Sequence, residues 1–223
     1  MKDLRTEFTT WYFNEFHLTD LYYDMVETVE GSPYHREVTV GTHTDMVVAQ
    51  YLGYNSVSWD KKALLGALAC AFHDVGKPTA CKKNGIKFKP ERGNYLSFGG
   101  HELFSSRMWE DFAVTEWERL EEFGLVEEDI YKVGWMIEHH LPWGVKKPEK
   151  RKAIAQTLHE TGLRRAFIDL LLADTWGRIS DDGPEKKAKV EAWIADFVTL
   201  MDECTLIPKP EDIATRYPSL TSR

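Results

Sequence analysis

Apolar residues recur at helical spacing along almost the whole chain, and no succession of alternating strands joined by hairpin turns interrupts them. Between residues 6 and 29, Phe8, Trp11, Tyr12, Phe13, Phe16, Leu21 and Met25 predict one or two amphipathic helices. Gly31-Ser32-Pro33 breaks that pattern. A helix is then expected from near Thr42 to about Leu52, and another over roughly 60–74. Residues 77–100 hold Asn84-Gly85, Lys89-Pro90 and Gly99-Gly100 and are expected to form a loop. Further helices are expected over about 101–112, 115–123, 127–141, 150–160, 163–178 and 184–203. The Pro-punctuated end predicts an irregular tail over 208–223, after a single all-α domain spanning 1–207.

Helix phase places several polar residues on apolar faces. His43 shares a face with Met46, Val47 and Gln50. His73 lies on the face of Gly66, Ala69 and Cys70, small residues that admit another helix closely. His101 falls with Phe104, Ser105 and Met108, and Met136 and Ile137 put His139 and His140 at the inner edge of their helix. Asp174 continues the stripe of Phe167, Leu170 and Leu171. Taken singly, each histidine reads as a hydrogen-bonded core residue, and Asp174 as a helix cap or a partner of Arg178. A buried carboxylate nevertheless needs neutralising. One divalent metal centre accounts at once for His43, the adjacent His73-Asp74, His101, His139 and Asp174.

Composition narrows the function classes. The 223 residues carry a formal net charge of −8, which argues against a broad basic face for double-stranded DNA. The three cysteines, Cys70, Cys81 and Cys204, form neither a CxxC pair nor a disulfide framework. The longest apolar run, 63–72, is too short to span a bilayer, and the N-terminus lacks a signal-peptide core. A cytoplasmic protein is expected, with no membrane partner. Two stretches gather positive charge beside aromatics. One holds Lys82, Lys83, Lys87, Lys89 and Arg92 with Phe88, Tyr95 and Phe98; the other holds Lys146, Lys147, Lys150, Arg151 and Lys152 with Trp143. Such stretches can rim a nucleotide or single-stranded end, or can be solvated loops.

The order His, His-Asp, His, His, Asp on successive helices resembles the HD-domain superfamily of metal-dependent phosphohydrolases over about residues 34–182. The closer likeness is to the HD domain attached to bacterial CCA-adding tRNA nucleotidyltransferases. It is carried by Tyr34-His35-Arg36-Glu37 through His43-Thr44-Asp45-Met46-Val47, by His73-Asp74-Val75-Gly76-Lys77, by Gly100-His101-Glu102, and by Ala173-Asp174-Thr175-Trp176-Gly177-Arg178. The chain reads as a stand-alone version with extra N- and C-terminal helices. The resemblance implies that His43, His73, Asp74 and Asp174 hold a first ion. Asp74, His101 and His139 complete a second, with Asp74 bridging, or His101 and His139 contact phosphate or act as a general acid. By family position His139 rather than His140 is the ligand. Such donors suit Mn²⁺, Fe²⁺, Ni²⁺, Co²⁺ or Zn²⁺ better than Mg²⁺ alone.

Lys77, one turn after the His73-Asp74 pair, is expected to reach phosphate or to interact with the helix dipole, and Arg178, four residues after Asp174, to bind substrate or to orient Asp174. His140 is a further candidate for substrate contact, and Asp74, His101, His139 and Lys77 are the candidate catalytic residues. Glu102 is expected to support His101. The expected activity is phosphomonoesterase or 2′,3′-cyclic phosphodiesterase action on nucleotides or RNA ends through a metal-activated water. The alternatives are a dNTP or 5′-nucleotide hydrolase, a degenerate HD module that only binds nucleotide, and, less favoured, a di-iron oxygenase.

Overall fold

A computed structural model describes residues 3–30, 35–55, 59–89, 93–142, 145, 147–179 and 183–204. The architecture is an all-α helical bundle. Helix α1 (Leu4–Asn14), a 3-10 turn (Phe16–Leu18) and α2 (Asp20–Glu27) precede α3 (Val40–Tyr54) and α4 (Lys61–Phe72). Helix α5 (Lys77–Asn84) leads into the hairpin β1 (Ile86–Lys89) and β2 (Gly93–Leu96). Then come α6 (His101–Thr115), α7 (Trp117–Glu122), α8 (Glu127–Glu138), α9 (Pro148–Thr161), α10 (Arg164–Trp176) and α11 (Gly183–Cys204).

Helix α4 is the axis of the bundle. Asp60 caps its start by accepting the Ala63 amide at 2.9 Å. Every residue from Ala63 to Phe72 is buried. A helix apolar on all sides has no face to give to water, so neighbours must surround it. Helices α3, α8 and α10 pack along it, with α1 and α6 adding further cover. Its small residues permit the close approach that their spacing predicted. A Cβ on Gly66 would overlap the Tyr51 hydroxyl of α3 and stand 2.7 Å from that ring's Cζ. The same hydroxyl donates to the Ala63 carbonyl at 3.0 Å.

The last residue of α4 anchors an aromatic cluster. The Phe72 ring lies 4.8 Å from Phe16 and 4.9 Å from both Trp109 and Phe112. These rings immobilise the backbone just before His73-Asp74. The N-terminal helices are fastened separately by Asp45 of α3. Its carboxylate accepts Tyr12 Oη at 2.8 Å, Tyr22 Oη at 2.7 Å and His17 Nε2 at 3.1 Å.

The stretch expected as a loop over 77–100 is instead α5 followed by a two-stranded antiparallel hairpin, Ile86 opposite Leu96 and Lys89 opposite Gly93. Pro78 in the first turn favours helix initiation, and Gly85 at φ 64° ends the helix in a conformation other residues resist. The hairpin is the only sheet among the described residues and lies outside the helical core. No described helix is long and apolar enough to cross a membrane. The tail 208–223 lies outside the described residues.

The tight contact of α3 with α4 has a measurable consequence. Gly66→Ala should lower the thermal midpoint through overpacking worth about 1–3 kcal/mol. An unchanged midpoint would mean that the two helices do not pack this closely.

Candidate metal centre

The chemistry-bearing side chains come from helix ends. His43 lies in the first turn of α3 and His101 opens α6. His73-Asp74 follows the last turn of α4, His140 lies just beyond α8, and Asp174 is in the last turn of α10. The C-terminal ends of α4, α8 and α10 carry partial negative charge, which favours a cation among them.

Two groups of donors converge, and Asp74 touches both. In the first, His43 Nε2 lies 3.2 Å from Asp174 Oδ1 and 3.4 Å from His73 Nε2. Asp74 Oδ2 stands 3.1 Å from His73 Nε2 and 3.6 Å from His43 Nε2. In the second, Asp74 Oδ1 lies 3.1 Å from His101 Nε2 and 3.9 Å from His140 Nε2, while those two nitrogens are 3.3 Å apart. The ligand atoms of His43, His73 and Asp174 lie within 4.8 Å of one another, as do those of Asp74, His101 and His140. All six residues are buried.

The outward ring nitrogens explain the inward ones. His73 Nδ1 donates to the Cys70 carbonyl at 2.8 Å, His101 Nδ1 to Phe98 at 2.9 Å, and His140 Nδ1 to Ile137 at 2.7 Å. His43 Nδ1 faces Glu37 Oε1 at 3.0 Å and the Gly177 carbonyl at 3.3 Å. With each Nδ1 carrying its proton, a neutral ring turns an Nε2 lone pair inward; these tautomers are assigned from the hydrogen bonds. Lone pairs facing each other at 3.3–3.4 Å cannot bond to one another. Asp74 Oδ1 is buried without a hydrogen bond. The arrangement therefore requires protons or cations at its centre, and the donor set could hold a divalent metal ion.

Protonation preferences follow the same electrostatics. Burial alone would raise the Asp74 carboxyl, but the charges of His73 and Lys77 hold it well below the usual carboxylate range. Burial likewise opposes ionised Asp174, and Arg178 and His43 more than offset it. For His43, burial favours the neutral ring, yet the hydrogen bonds to Asp174 and Glu37 push its pKa up to about 10. His140 moves the opposite way, to about 3, through burial and the neighbouring His101 and His73.

One expected ligand is corrected. His140, not His139, joins the cluster. His139 is half-buried, donates from Nδ1 to the Trp135 carbonyl at 2.9 Å and stacks on the Trp135 ring at 4.4 Å. The chain leaves helical geometry at this point, with His139 at φ −105°, ψ 9°, so extrapolated helix phase no longer decides which ring faces inward. The expected role of His140 in substrate contact changes accordingly to that of a candidate ligand.

Lys77 is also placed differently from a phosphate-facing lysine. It is buried, donates to Asp74 Oδ2 at 2.7 Å, and forms an ion pair with Glu30. A lysine held between two buried carboxylates keeps its proton and balances their charge. Arg178 stands nearer the expectation, with Nη2 4.0 Å from Asp174 Oδ2. Glu102 Oε2 lies 3.5 Å from His101 Nδ1, farther than the Phe98 carbonyl that holds that nitrogen.

The basic stretches divide. Lys83 lies over the Phe104 ring at 5.2 Å, Lys82 and Lys87 are exposed, and the Phe98 ring lies 5.6 Å from Lys77 Nζ. Lys147, Lys150 and Lys152 are exposed, and Arg151 packs over Trp193 of α11 at 5.1 Å. Arg92, Trp143 and Lys146, and the side chains of Phe88, Lys89 and Tyr95, lie outside the described residues. Sequence reasoning gave no role to Glu30, His35 or Glu37. His35 and Glu37 precede α3 in a non-helical, bent segment where no helical period singles them out. No protein-family model matches the chain, and no curated protein does.

Two outcomes test the centre. In chelator-stripped and reloaded protein, His140→Ala should lower the bound-metal count measured by plasma emission, whereas His139→Ala should leave it unchanged; the reverse pattern would refute this assignment. An ion entering beside His43 must also displace the proton that its raised pKa retains. Apparent affinity should therefore rise with pH below about 10, by roughly tenfold per unit. Calorimetric titration in buffers of different ionisation enthalpy should report about one proton released; none released would contradict the raised pKa.

Proposed function

We propose that this chain is a metal-dependent phosphohydrolase of the HD type, acting on phosphate esters of nucleotides or RNA ends. The observation that carries the reading is Asp74, whose two oxygens face two separate groups of buried imidazoles. A shared carboxylate between paired donor sets suits chemistry in which attacking and leaving oxygens are both stabilised. His43, His73, Asp74 and Asp174 would hold one ion, and Asp74, His101 and His140 a second. When bound, divalent ions supply Lewis acidity toward phosphoryl oxygens and acidify water.

The surrounding residues have distinct parts in this proposal. Three backbone carbonyls and Glu37 hold the four rings with Nε2 inward, so little reorganisation is needed during reaction. Lys77 stabilises ionised Asp74 rather than meeting substrate. Arg178, with Nη2 4.0 Å from Asp174 Oδ2, would steady a phosphate while restraining Asp174. Cleavage of a terminal phosphate and opening of a 2′,3′-cyclic phosphate both fit these parts.

A screen of the metal-reconstituted protein tests the reading. It should include p-nitrophenyl phosphate esters, nucleoside mono- and triphosphates, 2′,3′-cyclic nucleotides and RNA 3′ ends. Asp74→Ala should remove metal binding and lower turnover by at least on the order of 10²–10³-fold with the helical circular dichroism retained. Undiminished turnover in that variant would place the chemistry elsewhere. Arg178→Ala should raise KM more than it lowers kcat.

A further inference from the structure

Among the four inward-facing histidines, His43 has a buried side-chain carboxylate 3.0 Å behind its ring; the other three donate Nδ1–H to backbone carbonyls, and the half-buried Glu102 stands farther off, 3.5 Å from His101 Nδ1. That carboxylate belongs to Glu37, whose side chain is fully buried. Its partners are well defined. Oε1 stands 3.0 Å from His43 Nδ1 and accepts from His35 Nδ1 at 2.8 Å. Oε2 accepts the Ile179 amide at 3.1 Å. The neighbouring Arg36 amide donates to the Ile179 carbonyl at 2.8 Å, so two bonds tie the segment before α3 to the segment after α10.

The arrangement has a cost. Val38, which follows Glu37, has φ 81°, in the region that branched residues avoid. Burying a carboxylate is itself unfavourable unless its oxygens are satisfied. Here both oxygens are, by His35 and the Ile179 amide, which hold the carboxylate against His43. A carboxylate behind a ligating imidazole fixes its tautomer and orientation and makes the distal nitrogen a stronger donor.

We propose that Glu37 is a positioning residue for the metal centre, acting through His43 and braced by His35 and the Ile179 amide. It holds Nδ1–H of His43 so that Nε2 stays directed at Asp174 and Asp74. The proposal rests on the metal reading of the cluster. The Gly177 carbonyl also accepts from the same Nδ1, at 3.3 Å, so loss of Glu37 weakens the site without erasing it. His35, Glu37 and His43 also lie close enough together to raise a competing possibility, that Glu37 is itself a ligand.

Titration of chelator-treated protein with Mn²⁺ and with Zn²⁺ separates these cases. In Glu37→Gln, the affinity of one ion should fall about 10–100-fold, while the count at saturation equals that of the native protein. Glu37→Asp should recover part of the loss. Equal affinity in a folded Glu37→Gln protein overturns the proposal, as does a saturating count reduced by one whole ion. If Glu37→Gln fails to fold, the native protein still discriminates. Its loaded form should show a His43 Nδ1 proton in nitrogen-15 correlation spectra, shifted downfield by the carboxylate and slow to exchange; a deprotonated Nδ1 refutes positioning. A native protein that binds neither ion fails at the metal centre itself, a result distinct from failure of Glu37 alone.

Discussion

The placement of a buried carboxylate, Asp74, at the end of a helix that is apolar on every side organises this molecule. Ionised Asp74 in such surroundings requires positive charge close by. Lys77 supplies some, and it is itself shared with Glu30. The inward nitrogens of four histidines supply donors that need a proton or cation of their own. Much of the bundle can be understood as the scaffold that keeps these groups together out of water.

That scaffold works through helix ends. A long helix is stiff along its length, whereas its terminal turns offer unpaired backbone groups. Cys70 and Ile137 use terminal carbonyls to fix His73 and His140, and the Phe98 carbonyl before α6 fixes His101. Phe72 locks the end of α4 into an aromatic cluster, and Asp45 fastens the N-terminal helices to α3. Packing at a distance thereby sets the ring orientations at the centre.

The electrostatics are arranged in layers. Around the donors lie Lys77, Arg178, Glu30 and Glu37, with carboxylates and bases in alternation. A centre of this kind favours ions that accept nitrogen as well as oxygen ligands. Asp74 and Asp174 also stay ionised at neutral pH, because neighbouring positive charge holds both carboxyls below their usual range.

Helical periodicity, the fully apolar run of α4 and the small residues facing Tyr51 determined the fold class and where helices could approach. Five candidate ligands, His43, His73, Asp74, His101 and Asp174, were also legible, since a polar residue on an apolar helical face has few other reasons to be there. Tertiary structure decided the rest. The choice between His139 and His140 lay just past a helix end, where the period stops carrying information. Lys77 could not be assigned from its neighbours, because Glu30 meets it from 47 positions away. Glu37 lies in a bent, non-helical segment, and its partner Ile179 is 142 positions distant. Sequence patterns report the local period of the backbone; pairings between distant segments exist only once the chain has closed on itself.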